Sequence, residues 1–117
     1  MSANFSMEIF ICVVFAKYNM KTNTVVVQCD VKITYSGKPP VYRLYVGDEL
    51  FAERNWIWPN DYLEEQIVIE APFGLFPIRY ELMPHDNAVM KVKNPKIIQG
   101  PGRFRKKLDL EIYNEAS

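Results

Sequence analysis

The sequence has few of the residues that build metal sites and disulfide scaffolds. It contains two cysteines and one histidine among 117 residues, whereas a tetrahedral zinc site takes four such ligands at short spacings. We therefore expect no metal site of this kind. If the first two strands form a hairpin, Cys12 and Cys29 lie nearly opposite each other, at a separation that permits a disulfide. Both cysteines lie in apolar runs, and we interpret them as reduced, buried thiols of a protein made in a cytoplasm.

Charge of one sign is not in excess either. Fourteen basic residues balance fourteen acidic residues, so the formal net charge is zero. Such a chain lacks the general electrostatic attraction that draws proteins to nucleic acid or to anionic membranes. We therefore expect neither as the main partner. Low self-repulsion also suits a protein that associates with copies of itself or with other chains.

The apolar run IFICVVFA (residues 9–16) is too short to cross a membrane. It has eight residues, and a membrane-spanning helix needs about 20. A signal peptide would carry Lys or Arg before the run, but the first basic residue is Lys17, which follows it. We interpret the run as a buried β-strand, and we expect neither a signal peptide nor a transmembrane segment.

What the sequence has in abundance is apolar content arranged with a period of two. Hydrophobic residues make up 49% of the chain and aromatic residues 14%. This composition is typical of a packed globular domain, and the length fits one domain over residues 1–117. In TVVVQCDVKIT (residues 24–34), alternation gives one wholly apolar face and a second, mostly polar face. The apolar face holds Val25, Val27, Cys29, Val31 and Ile33, and the other holds Val26, Gln28, Asp30, Lys32 and Thr34. Such alternation predicts a half-buried β-strand.

The same alternation recurs along the chain, and no window of helical length shows a helical period. Short strands separated by Gly and Pro turns indicate an all-β fold. We predict an antiparallel β-sandwich of about eight short strands, with a β-barrel as the second choice. The predicted strands cover residues 9–16, 24–34, 41–46, 49–57, 63–71, 75–83, 88–94, 96–98 and 108–114.

A glycine and a proline add detail to this prediction. Gly47 precedes Asp48 between two predicted strands, and glycine at the first position of a two-residue loop suits a type II′ hairpin turn. Pro77 lies inside a predicted strand, where it cannot donate a hydrogen bond to a neighbouring strand. We therefore expect that strand at a sheet edge, or with a bulge.

Catalytic residues are not predicted by any motif. His85 lies in the turn MPHDN, and no Ser or Cys nucleophile accompanies it in a recognisable pattern. A calcium site from Asp61, Glu64 or Asp86 has suitable oxygen ligands but no EF-hand spacing. We interpret the acidic residues near the predicted turns as solvated side chains, rather than as a carboxylate pair for glycoside hydrolysis. These are Asp48, Glu49, Asp61, Glu64 and Glu65. We expect no catalytic residue, no cofactor and no bound metal.

The segment GRFRKK (residues 102–107) holds the only local excess of basic charge. It places Arg103, Arg105, Lys106 and Lys107 around Phe104. Basic and aromatic residues together could hold a phosphate backbone. Acidic residues follow at once, however, so a solvated face or a contact with an acidic patch on a protein partner is the favoured interpretation.

The segment NWIWPNDY (residues 55–62) gathers aromatic residues at a predicted bend. Alternation places Trp56 in the core, on the same face as Leu50. Pro59 restrains Trp58 to an extended conformation, with Tyr62 nearby. Three interpretations remain open: rings that cover the end of the core, a protein–protein interface, or a platform that stacks on sugar rings.

Residues 41–82 resemble small proteins of tailed bacteriophages, especially marine ones. In these proteins a strand, a tight turn, a strand ending in an ER-W-WP pattern, an acidic segment and a Pro-Gly turn follow in order. The matching positions are Gly47-Asp48, Glu53-Arg54, Trp56, Trp58-Pro59, Glu64-Glu65, Pro72 and Gly74. The resemblance implies a virion component on a β-sandwich scaffold, either a capsid decoration protein or a tail or neck accessory protein.

Together these observations predict a non-enzymatic protein that works by binding. Its expected partners are other virion proteins or copies of itself, and its expected location is the virion, after synthesis in the host cytoplasm. The alternative is a carbohydrate-binding module that uses exposed Trp58 and Tyr62 on a cell-surface glycan. The predicted interaction residues are Trp58, Pro59, Tyr62, Arg103, Arg105, Lys106 and Lys107.

Overall fold

A computed structural model describes residues 22–57 and 62–113 and the backbone of residues 5–13. Every regular element in these ranges is a β-strand. The strands are β1 (Phe5–Val13), β2 (Asn23–Tyr35), β3 (Val41–Val46), β4 (Glu49–Asn55), β5 (Tyr62–Ala71), β6 (Gly74–Leu82), β7 (Ala88–Gln99), β8 (Gly102–Phe104) and β9 (Asp109–Ile112).

The strands form two sheets that pack face to face. The four-stranded sheet has the order β1-β5-β2-β7, and the five-stranded sheet has the order β4-β3-β6-β9-β8. Neighbouring strands are antiparallel, except that β1 runs parallel to β5. Neither sheet closes on itself in the described part of the chain. The predicted β-sandwich is therefore confirmed, with one parallel pair at an edge.

The core lies between the sheets and follows the predicted alternation. Along β5, Leu63, Glu65, Ile67 and Ile69 are buried, while Glu64, Gln66 and Val68 between them are partly exposed. The inward faces of the other strands supply the rest, because a strand in a sandwich buries every second side chain. The buried apolar side chains of β2, β3, β6 and β9 are Val25, Val27, Cys29, Val31, Ile33, Tyr42, Leu44, Val46, Ile78, Leu110 and Ile112.

The first two strands do not form a hairpin. β1 pairs with β5, so β5 lies between β1 and β2. Cys12 is level with Ile69 on β5, whereas Cys29 is level with Glu65. Four residues along the strand and two strand spacings separate the cysteine backbones by roughly 16 Å, far beyond the span of a disulfide. Cys29 is a free, buried thiol.

The expectation that the strand of Pro77 lies at a sheet edge, or carries a bulge, is wrong. Pro77 lies in β6, which has β3 on one side and β9 on the other. The pairing with β3 ends at Val46 opposite Ile78, one residue beyond the proline. Beyond that pair, only the N–H of Gly47 bonds to the carbonyl of Pro77. The missing N–H therefore falls at the very end of the pairing with β3, where it interrupts no further pairing.

β-Bulges in two of the strands change what strict alternation predicts. The pairing of β3 with β4 shifts between Leu44–Ala52 and Tyr45–Leu50, so Phe51 is an extra residue. As one added residue reverses the faces, Leu50 is exposed while Phe51 packs against the core, contrary to expectation. In β7, one bulge lies between the pairs Val26–Gln99 and Val27–Ile97, and another between Gln28–Lys96 and Asp30–Lys93. The latter falls where the predicted segments 88–94 and 96–98 meet, and the two segments form one strand.

Candidate functional site

Exposed apolar side chains lie on the outer face of the five-stranded sheet. Leu75 and Pro77 project from β6, the central strand of this sheet, and Leu75 is 57% exposed. On β4, Leu50 is 53% exposed beside Tyr45 of β3. We call this surface the β6 face. It includes the turn at residues 47–49 on one side and the turn at residues 105–107 on the other. Its apolar centre can contribute free energy to binding when a partner removes it from water.

An acidic turn borders the β6 face on the β3–β4 side. The N–H of Gly47 donates a hydrogen bond of 2.8 Å to the carbonyl of Pro77. Gly47 has a φ of 62°, whereas Asp48 does not have a positive φ, as a type II′ turn requires. Asp48 and Glu49 are both exposed, and neither forms an ion pair within 4 Å in the described part of the chain.

A basic turn borders the β6 face on the opposite side, between β8 and β9. The N–H of Arg105 donates to the carbonyl of Asp109 at 2.9 Å, and the N–H of Asp109 donates to the carbonyl of Lys106 at 2.8 Å. Lys107 takes a left-handed conformation with φ 49°, which closes the turn. Arg105 and Lys106 line a hollow of about 370 Å³ together with Leu75, Pro77 and Asp109.

The four predicted basic residues therefore have different surroundings. Arg103 donates to Glu111 at 2.7 Å, and its guanidinium lies 5.6 Å from the centre of the Tyr113 ring. The hydrogen bond to Glu111 raises the pKa of Arg103. Arg105, Lys106 and Lys107 are exposed and have no ion pair among the described residues. Of the four, these three therefore remain available for a partner.

The residues of the aromatic bend are only partly described. Trp56 is fully buried, and its ring contacts that of Tyr42 edge to face, so its predicted core position is confirmed. Trp58 and Pro59 lie outside the described residues. Tyr62 begins β5 and is half-buried beside Lys32 of β2. It therefore belongs to the four-stranded sheet, whereas the β6 face belongs to the five-stranded sheet. The predicted interaction residues thus do not form one site.

A buried carboxyl group is the main polar feature of the core. Glu65 is 0% exposed on β5 and accepts hydrogen bonds from Tyr42 at 2.7 Å and from Tyr80 at 2.5 Å. Tyr42 lies on β3 and Tyr80 on β6, so both bonds connect the two sheets. The interpretation of Glu65 as a solvated acid is wrong. Alternation already indicated this, because Glu65 shares a face with Ile67 and Ile69.

Burial changes the acidity of the groups around Glu65. It raises the pKa of the Tyr80 hydroxyl well above its usual value, and the nearby Glu65 carboxyl adds to this effect. Burial also raises the pKa of the Cys29 thiol to about 12, and a hydrogen bond with Tyr80 opposes part of the increase. At neutral pH both groups stay protonated, and Cys29 acts as a small apolar side chain.

The single histidine is engaged in local structure. His85 accepts a hydrogen bond at Nδ1 from the N–H of Asn87 at 2.9 Å, and its Nε2 contacts the carbonyl of Lys38. Asp86 is exposed in the same turn. Glu64 is half-buried on the outer face of the four-stranded sheet. Asp61 lies outside the described residues. Within the described ranges, no three His, Cys, Asp or Glu side chains come together as metal ligands would.

Comparison with known proteins gives no relative for this chain. No protein-family model, curated protein or solved structure matches it. Across residues 22–57 and 62–113, the structure has no helix with the length and apolar character needed to span a membrane.

Proposed function

We propose that this protein is a structural protein that works by binding a second copy of itself through the β6 face. The observation that carries the proposal is the order of features on that face. An acidic turn, an exposed apolar strip and a basic turn follow one another across the central strand. An apolar centre with charged margins is the usual composition of a protein interface.

A second copy fits the charges of this face better than a partner whose surface carries charge of only one sign. A rotation of 180° about an axis near Pro77 places the acidic turn of each copy against the basic turn of the other. Such a two-fold contact satisfies both turns at once, since the same patch is used on both copies. Glu49 and Arg105 are suited to this exchange because neither has an ion pair among the described residues.

A bacteriophage particle is the proposed setting, as a capsid decoration or a tail or neck accessory protein. This part of the proposal rests on the resemblance of residues 41–82 to small phage proteins. The test is mass spectrometry of particles purified from a phage that encodes this chain. We expect the chain to copurify with the particles after density-gradient separation, and its complete absence from them would contradict the setting while leaving the contact between copies open to its own test.

Charge reversal on the two turns tests the contact between copies. We expect Glu49→Lys and Arg105→Glu each to raise the Kd of the dimer by about thirtyfold, because each reversal places like charges together at two contacts of about 1 kcal/mol each. An equal mixture of the two variants restores one native and one reversed pair per dimer. Sedimentation velocity should therefore show that the mixture regains the wild-type Kd within about threefold.

Lys96→Gln supplies the control, because Lys96 is exposed on the four-stranded sheet. This substitution should leave the Kd of the dimer unchanged. A wild-type protein that stays monomeric at every concentration would contradict the proposal. So would a mixture of the two charge variants that associates no better than either variant alone.

A further inference from the structure

Three lysines meet on the outer face of the four-stranded sheet. Lys32 on β2 lies directly opposite Lys91 on β7 and has Tyr62 of β5 on its other side. The next pair on the same face is Asp30 with Lys93. These residues are far from the β6 face, which belongs to the other sheet.

The positive charge of this cluster exceeds the negative charge beside it within the described part of the chain. Like charges directly opposite each other on neighbouring strands are unfavourable, yet Lys32 and Lys91 occupy such a pair. The side-chain amide of Asn94 donates to Asp30 at 2.8 Å. None of the three lysines forms an ion pair within 4 Å among the described residues.

A β-bulge shapes the surface beside the lysines. Between the pairs Gln28–Lys96 and Asp30–Lys93, β7 has one residue more than β2. Asn94 takes the left-handed conformation there, with φ 55°. A bulge bends its strand and redirects neighbouring side chains. The result is a hollow of about 330 Å³, lined by Asp30, Lys32, Tyr62, Lys91, Lys93 and Asn94.

Protection of a sheet edge does not account for all three lysines. Edge strands often carry lysine because the charge discourages pairing with other chains, and this applies to Lys91 and Lys93 on β7. Lys32 lies on β2, an internal strand with β5 and β7 on its two sides. Lysine is disfavoured in strands, so the position of Lys32 beside two further cations calls for another explanation.

We propose that this hollow binds the phosphate group of a small phosphorylated ligand. The lining carries three ammonium groups and one carboxylate, an excess that matches a phosphate monoester. Each ammonium can donate a charge-assisted hydrogen bond to a phosphate oxygen. The Asn94 amide adds a polar group, and the half-buried ring of Tyr62 forms an apolar wall for the part of the ligand that carries the phosphate.

Titration with inorganic phosphate, followed by ¹H–¹⁵N NMR at constant ionic strength, tests the site. We expect saturable shift changes centred on Lys32, Lys91 and Asn94. Lys91→Gln should raise the Kd about fivefold, the equivalent of about 1 kcal/mol, and Lys32→Gln should act similarly. Lys96→Gln is the matched control, as it removes an exposed lysine of the same strand outside the hollow; it should leave the Kd unchanged.

Two outcomes would overturn the proposal. The first is a shift that grows linearly with phosphate and never saturates. The second is an equal loss of affinity in Lys96→Gln and Lys91→Gln, which would indicate general charge attraction. Titrations with glucose 6-phosphate and with a single-stranded oligonucleotide distinguish a small phosphorylated ligand from the phosphate backbone of a nucleic acid. Binding of the sugar phosphate supports the site, whereas binding of the oligonucleotide alone would replace it with nucleic-acid recognition.

Discussion

Replacement of Glu65 by alanine is expected to lower the free energy of unfolding by about 3 to 5 kcal/mol. The substitution removes the acceptor of the Tyr42 and Tyr80 hydroxyl groups and leaves a cavity between the sheets. A loss of this size is a large part of the stability of a typical domain, which is about 5 to 15 kcal/mol. Urea unfolding at pH 7, followed by tryptophan fluorescence, measures it.

Glu64 provides the control, because it is the preceding residue of β5 and lies on the outer face. Glu64→Ala should change the free energy of unfolding by no more than about 0.5 kcal/mol. The triple variant Tyr42→Phe, Tyr80→Phe, Glu65→Met replaces all three partners with apolar groups of similar shape. It should recover most of the lost stability, and it keeps the test valid if Glu65→Ala does not fold. Equal effects of Glu64→Ala and Glu65→Ala would contradict the role of the buried carboxyl group.

Gly100→Ala is expected to destabilise the fold by a similar amount, about 3 to 5 kcal/mol. Gly100 lies where the chain passes from β7 of one sheet to β8 of the other, with a φ of 96°. An added Cβ would collide with the carbonyl oxygen of Thr24 and lie 2.9 Å from the Cα of Val25. Both atoms belong to the backbone of β2, which cannot move aside without breaking its pairing. Thermal unfolding followed by circular dichroism measures the loss.

Gly37→Ala separates the collision from the cost of the backbone conformation. Gly37 also has a positive φ, 86°, but an added Cβ there would meet no atom within 4 Å. We expect Gly37→Ala to cost only about 1 to 2 kcal/mol, the penalty for an L-residue in this conformation. If the two alanine variants were equally stable, the close packing of the crossover against β2 would be refuted.

The strands themselves follow from the sequence, since side chains that alternate with a period of two must lie on opposite faces of a strand. For this reason the segments around Val27, Leu44 and Ile67 were predictable. The order of the strands was not, because alternation assigns a face and not a neighbour. The parallel pairing of β1 with β5 depends on contacts between segments that are distant in the chain.

Local exceptions to alternation explain the remaining errors. The bulge at Phe51 exchanges the inward and outward positions at the start of β4. No residue type in that segment predicts a bulge. β8 has three residues, and its Gly-Pro-Gly approach indicated only a break in the chain. The candidate site was predicted in part. Arg105 and Lys106 were found from their charge, whereas Leu75 became part of the β6 face only because β6 is central and its outer side is uncovered.

Cysteine cross-linking tests most directly whether two copies meet at the β6 face. In a Cys12→Ser background, Leu75→Cys places a thiol near the proposed two-fold axis, and Val89→Cys places one on the other sheet with the same 57% exposure. Under mild oxidation we expect a disulfide-linked dimer from Leu75→Cys and little or none from Val89→Cys, as measured by non-reducing gel electrophoresis. Equal cross-linking of both variants, or none from Leu75→Cys at a concentration where the protein is dimeric, would contradict the account.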